Sequence, residues 1–90
     1  MGHLYILQSV KNGRYYIGST GNLTRRLKEH NSGQTVSLKN LLPVQLVFSK
    51  SYDNLKEARK MELHLKSLKN RSIIERIIID KRVKTNFKND

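Results

Sequence analysis

The sequence predicts an α+β domain. Three observations carry that expectation. An Asn12-Gly13 pair separates two runs rich in apolar and β-branched residues, the strongest short signal of a β-hairpin. Residues 44–50 alternate as a further strand does. After Asn22 and after Asn54, apolar residues recur three and four positions apart behind a capping side chain, which marks helices.

In chain order, residues 3–10 (HLYILQSV) read as the first strand and 14–19 (RYYIGS) as its return. With Asn12 and Gly13 as a two-residue loop, Lys11 faces Arg14, Val10 faces Tyr15, Ser9 faces Tyr16 and Leu7 faces Gly18. Alternation then gives one face to Leu4, Ile6, Val10, Tyr15 and Ile17, which reads as core. The other face takes Tyr5, Leu7, Ser9, Tyr16 and Gly18, a shallow site with two phenols beside a residue that has no side chain. Gly21-Asn22 caps a helix over 23–31, with Leu23 and Leu27 inward and Arg26 and His30 together on an adjacent face. Asn31-Ser32-Gly33 ends it. Residues 34–43 read as loop, closing at Pro43, and 44–50 (VQLVFSK) as the third strand. Asn54 with Glu57 resembles a capping box and opens a second helix running to about Lys69. Its apolar stripe is Leu55, Ala58, Met61, Leu65 and Leu68, and Glu62 falls inside it. Asn70-Arg71 breaks the run. Ser72 with Glu75 forms a capping box for a third helix carrying Ile73, Ile74, Ile77 and Ile78, with a strand as the alternative because β-branched residues favour one. The tail from Lys81 is basic, with Asn86-Phe87 as its ordered-looking piece.

Ninety residues make one domain, expected to span 1–90. The formal charge is +11, and both halves are basic: six basic and one acidic side chain in 1–45, twelve and six in 46–90. A globular surface this positive points to a polyanion, with nucleic acid first. No segment approaches the ~20 apolar residues of a spanning helix, and there is no long apolar leader, so a cytoplasmic protein without membrane association is expected. Without cysteine there is neither a disulfide frame nor a thiolate zinc site.

Several residues suit chemistry. Glu62 sits where a carboxylate is costly to bury unless it is paired or ligates something. Either it reaches water or a nearby arginine at the domain edge, or it holds a divalent ion, as one or two carboxylates plus water do for Mg²⁺. With no acidic cluster, a metal mechanism here uses a single ion. Arg26 belongs to a solvated basic face or clamps a phosphate as charge builds on it. Arg25 has Glu29 four residues on and is explained as a surface pair. Tyr15 reads as packing, whereas Tyr5 and Tyr16 share the other face and are candidate bases, needing positive charge nearby. His30 is a rival base or a locally bonded helix residue. His3 and His64 have no partner that the sequence suggests.

Taken together, these residues resemble a known family. His3-Leu4-Tyr5 and Tyr16-Ile17-Gly18 are similar to the two halves of the GIY-YIG nuclease signature, with His3 and Leu4 in place of its glycine and isoleucine and Tyr5 retained. The stretch STGNLTRRLKEHNSG resembles the family's next block. Its arginine, eight residues after the signature's last glycine, matches Arg26, and its histidine, four further on, matches His30. The segment EARKMELHLKSLKN resembles the helix that carries the metal-binding glutamate, matching Glu62, and Asn86 is a looser match to a late supporting asparagine. The resemblance covers roughly residues 3–70 and extends to small stand-alone members related to the catalytic domain of the excinuclease. It implies a three-stranded antiparallel sheet flanked by helices, one Mg²⁺ or Mn²⁺ ion and hydrolysis of DNA phosphodiesters, in repair or processing. Tyr5 or Tyr16 would act as base, with Gly18 supporting. Arg25, Lys66, Lys69 and Arg71 are candidates for nucleic-acid contacts that do not depend on sequence. DNA is the expected partner, RNA stays open, and a protein partner could supply specificity. The alternative is a nucleic-acid-binding module with little or no catalysis.

Overall fold

The structure is a computed structural model and describes residues 1–33 and 42–80. Most of the expected loop 34–43 and the tail from Lys81, with Asn86, lie outside the described residues. The elements run β1 (Gly2–Ser9), β2 (Tyr15–Thr20), α1 (Leu23–Asn31), β3 (Val44–Tyr52), α2 (Leu55–Leu68) and α3 (Arg71–Asp80). The strands form one antiparallel sheet in the order β2-β1-β3, so the α+β expectation holds. β1 lies in the middle, and Leu4, Tyr5, Ile6 and Leu7 are all buried because helices cover both faces of the sheet. Leu4, Ile6, Ile17 and Phe48 pack with Leu65 of α2 and with Ile74 and Ile77 of α3. On the opposite face Tyr5, Leu7 and Val44 pack under Leu23 and Leu27 of α1.

The hairpin corrects the expected register. Tyr5 pairs with Gly18 and Leu7 with Tyr16, two residues away from a two-residue turn. The loop is longer because Ser9 closes it: its amide donates to Arg14 O at 2.8 Å, and its carbonyl accepts from Gly13 N at 2.9 Å. Gly13 supplies the φ of +77° that this turn needs. A shift of two residues keeps every side chain on its face, so the division of the two faces survives. Val10 does not join the core; it is in the turn and largely exposed. The second face also differs from the shallow site expected, because α1 closes over it and Tyr5 is only 1% exposed.

Both expected asparagine caps form. Asn22 Oδ1 accepts from Arg25 N at 3.0 Å and Asn54 Oδ1 from Glu57 N at 2.9 Å. The third element is a helix rather than a strand, and its cap is Asn70 in place of Ser72: the Ser72 amide donates to Asn70 Oδ1 at 2.9 Å. Lys69, at φ 47°, turns the chain between α2 and α3, which starts the helix two residues earlier than a Ser72 cap would.

Candidate active site at the edge of the sheet

Among the described residues β2 is an edge strand, so groups on the two faces of the sheet can meet around its open side. From the α1 side come Tyr5, Tyr16, Arg26 and His30. Tyr5 lies across from Gly18, and its ring occupies the space a side chain there would need: a Cβ on Gly18 would fall 2.5 Å from Tyr5 Cζ. That contact, rather than any unusual φ, is why glycine stands at this position. The Tyr5 hydroxyl is 2.9 Å from His30 Nε2, and His30 is fully buried. Tyr16, half-buried, packs its ring 6.5 Å from Tyr5 and 5.4 Å, edge-on, from His30.

Electrostatics keep this cluster neutral at its centre. Burial pushes the Tyr5 phenol above its ordinary value, although the Arg26 guanidinium beside it pulls the other way. Burial, then the charge of Arg26, lowers His30 below the usual imidazole range. A neutral phenol therefore meets a neutral imidazole. Tyr5 and His30 share one hydrogen bond, and the imidazole tautomer sets which of them donates. Arg26 Nη1 donates to Glu29 Oε1 at 2.9 Å, and Glu29, ahead of Tyr5, raises the guanidinium's already high pKa. The sequence assigned Glu29 to Arg25 alone; Arg25 does reach it, but at 3.6 Å. One carboxylate serves two arginines because it lies three and four residues from them on one helix. The Arg26 side chain keeps 37% of its surface accessible, so its guanidinium remains open to a ligand.

From the α2 side comes Glu62. Its side chain is 15% exposed, and both its oxygens are engaged: Ser19 Oγ donates to Oε1 at 2.5 Å and Lys66 Nζ to Oε2 at 2.6 Å. The Lys66 ammonium also lies 5.7 Å from the centre of the Tyr16 ring, which ties the α2 side to the α1 side around the strand. The negative charge of Glu62 and the positive charge of Arg26 both reach Tyr5. Five residues singled out in the sequence, Tyr5, Tyr16, Arg26, His30 and Glu62, therefore come together.

Sequence reasoning missed Ser19, which holds Glu62 across 43 positions, and the use of Glu29 by Arg26. Alternation places Ser19 on the same face as Ile17, next to α2, and a polar residue on that core face was the available signal. Lys69 and Arg71 sit at the α2–α3 corner, beside Tyr15 on the α2 side of the sheet. Arg71 is engaged within the protein: it donates to Gly13 O at 3.1 Å and to Glu75 at 3.0 Å, and stacks 4.6 Å over Tyr15. His3 lies beside β3, its Nδ1 3.3 Å from Ser51 Oγ, and the residue that must be small there is Gly2, where a Cβ would meet Asn54 O at 2.5 Å.

The donor set fits one hard divalent ion. Glu62 offers carboxylate oxygen, the Ser19 hydroxyl lies against it, and a cation, the Lys66 ammonium, already sits on Oε2. Among the described residues no group of three or more His, Cys, Asp or Glu could hold a metal. An ion bound through one carboxylate would keep most of its water, which is the habit of Mg²⁺. Also among the described residues, no helix is long and apolar enough to cross a membrane.

Comparison with known proteins identifies the family and the fold. Residues 1–77 match the GIY-YIG catalytic domain. A UPF0213 protein of Bacillus licheniformis is 35% identical over 81 residues, covering 89% of this chain and 82% of that protein. One from Halobacterium salinarum is 35% identical over 69 residues, covering 76% and 88%. The solution NMR structure of the UPF0213 protein BH0048 from Bacillus halodurans superposes with a TM-score of 0.55 at 29% identity, covering 90% of this chain and 87% of that one.

Proposed function

The chain belongs to the GIY-YIG family, a nuclease family, and on that premise we propose that it is a metal-dependent endonuclease acting on DNA, with residues 1–90 forming one nuclease domain. The observation that carries the reading is the placement of Glu62, pinned by Ser19 at the open edge of β2 within reach of the tyrosine and arginine cluster. Glu62 would hold one Mg²⁺ or Mn²⁺, which when bound supplies Lewis-acid stabilisation of the phosphate. Arg26 donates to a non-bridging oxygen of the scissile phosphate and offsets the charge that builds there. Tyr16, the less buried of the two phenols, would relay a proton from the attacking water to solvent. A phosphorus–oxygen bond forms to that water, the ester bond opposite breaks, and the departing oxygen is protonated from solvent. Tyr5 and His30 hold Arg26 and the Tyr16 ring from behind. Lys66, Lys69 and Arg25 meet the DNA backbone without regard to sequence, and the activity suits DNA repair or processing.

A second reading gives the base to Tyr5, and the 2.9 Å contact with His30 favours it. Tyr5 would then accept the water's proton while passing its own to His30 Nε2. The test of the function is nicking of supercoiled plasmid with Mg²⁺ or Mn²⁺, by the wild type, Arg26→Ala and Glu62→Ala. Cleavage surviving unchanged in both variants overturns the proposal. Salt-dependent DNA binding with no metal-dependent cleavage by the wild type would reduce it to a binding module.

A further inference from the structure

Lys66 belongs to two sites. Its ammonium bonds Glu62 Oε2 at 2.6 Å, and its side chain also lines a cavity of about 330 Å³ between β2 and the α2–α3 corner. Arg14, Lys69 and Arg71 line the same cavity, and among the described residues no acidic one does. The carboxylates that pair with its cations, Glu62 and Glu75, approach from outside the lining. Arg14 and Lys69 are exposed. The cavity is thus an anion site by its chemistry, and it shares one wall residue with the carboxylate of the candidate active site.

We propose that this cavity receives a backbone phosphate of the nucleic acid next to the scissile one, and that Lys66 transfers from Glu62 to that phosphate, so that binding nucleic acid frees the carboxylate for its divalent ion. The inference rests on the reading of Glu62 as the metal ligand. An ammonium bonded to Oε2 repels a divalent cation approaching the same oxygen, so in the free chain Lys66 competes with metal. The exchange is nearly even-handed. Lysine has a flexible stem and three donors, and its charge-assisted bond to a phosphate is of the same kind as the one it gives up. Arg14 and Lys69 tip the balance by attracting the phosphate to where Lys66 can reach it. Ser19 keeps its bond to Oε1 throughout, so Glu62 stays aimed while its other oxygen is released. Metal and nucleic acid then tighten each other's binding by the same factor.

The experiment is Mn²⁺ titration of the free protein followed by electron paramagnetic resonance, without nucleic acid. Lys66→Met is expected to bind Mn²⁺ about 5-fold more tightly, the scale of losing one partly shielded charge pair. Lys69→Met removes the same charge from the cavity without touching Glu62 and is expected to shift the affinity by no more than about 2-fold. Equal or weaker binding by Lys66→Met, with Glu62→Gln having lost the ion, overturns the exchange and leaves the metal assignment standing. Wild-type Mn²⁺ affinity in Glu62→Gln sinks the metal assignment and the exchange with it. The phosphate arm uses fluorescence anisotropy of a labelled DNA duplex in EDTA. The double variant Arg14→Met/Lys69→Met should lose about 10-fold in affinity and show a salt slope shallower by about 2. Lys56→Met/Lys60→Met, an equal loss of charge elsewhere on α2, should change much less. If the two double variants bind alike, the cavity is not the receiving site and the proposal fails.

Discussion

The hydroxyl of Tyr5 and Nε2 of His30, 25 positions apart in the chain, lie 2.9 Å from each other with both residues sealed from solvent. This bond joins the central strand to the end of α1 and stands directly behind Arg26. Tyr5→Phe leaves a buried imidazole nitrogen without this partner, and the chain is expected to lose about 1–3 kcal/mol of stability in urea unfolding. If the loss is negligible, the bond does not help to hold the two elements together.

The same pair makes stability depend on pH in two directions. Burial lowers His30 in the folded chain, so on acidification the unfolded chain takes up this proton first. Stability from this group is complete above the unfolded imidazole value of ~6.5 and falls as pH drops below it toward the folded value. Tyr5 is raised, so its contribution holds below the unfolded phenol value of ~10 and is lost as pH climbs from there through the folded value. Urea midpoints measured across pH 5–7.5 should slope in the wild type and flatten in His30→Gln.

Gly18→Ala is expected to destabilise by roughly 1–3 kcal/mol, the range for forcing extra volume into a packed site. The added carbon meets the Tyr5 ring, so the cost should shrink when Tyr5 is also cut back to alanine. Equal costs of Gly18→Ala in the two backgrounds would show that Tyr5 is not what requires glycine there.

The two phenols separate by kinetics. Tyr16→Phe should lower plasmid nicking about 10²–10⁴-fold if it is the base, while Tyr5→Phe acts mainly through Arg26 and costs less. The reverse order assigns the proton transfer to Tyr5 and His30. Ser19→Ala frees Oε1 of Glu62 and should raise the Mn²⁺ requirement by about 10-fold, the scale of losing a group that orients a ligand. An unchanged requirement would remove Ser19 from the site.

The helices were legible because their signals are local: Asn22 and Asn54 cap them, and each cap needs only the next three residues. The faces of the hairpin were legible for a similar reason, since alternation survives an even shift in register. The register itself was not, because the bonds that lengthen the turn come from Ser9, which alternation had placed inside the strand and whose hydroxyl accepts from the Lys11 and Asn12 amides. The closure of α1 over Tyr5 is a packing outcome that depends on Leu23 and Leu27 together. In the site, Arg26, His30 and Glu62 stood out by spacing and by an acid in an apolar stripe. Ser19 did not, because its partner lies 43 residues away and an isolated serine in a strand announces nothing.

The open side of β2 has a cost that its chemistry conceals. An unpaired strand edge invites another strand to add to it. Under the proposed function any such addition would block the approach to Tyr16 and Glu62, so self-association through β2 would silence the protein rather than merely cluster it. The cations gathered along that side, Arg14 and Lys66 among them, repel a second copy of this strongly basic chain while welcoming a polyanion. The same charges select what may approach the edge and keep identical chains from sealing it.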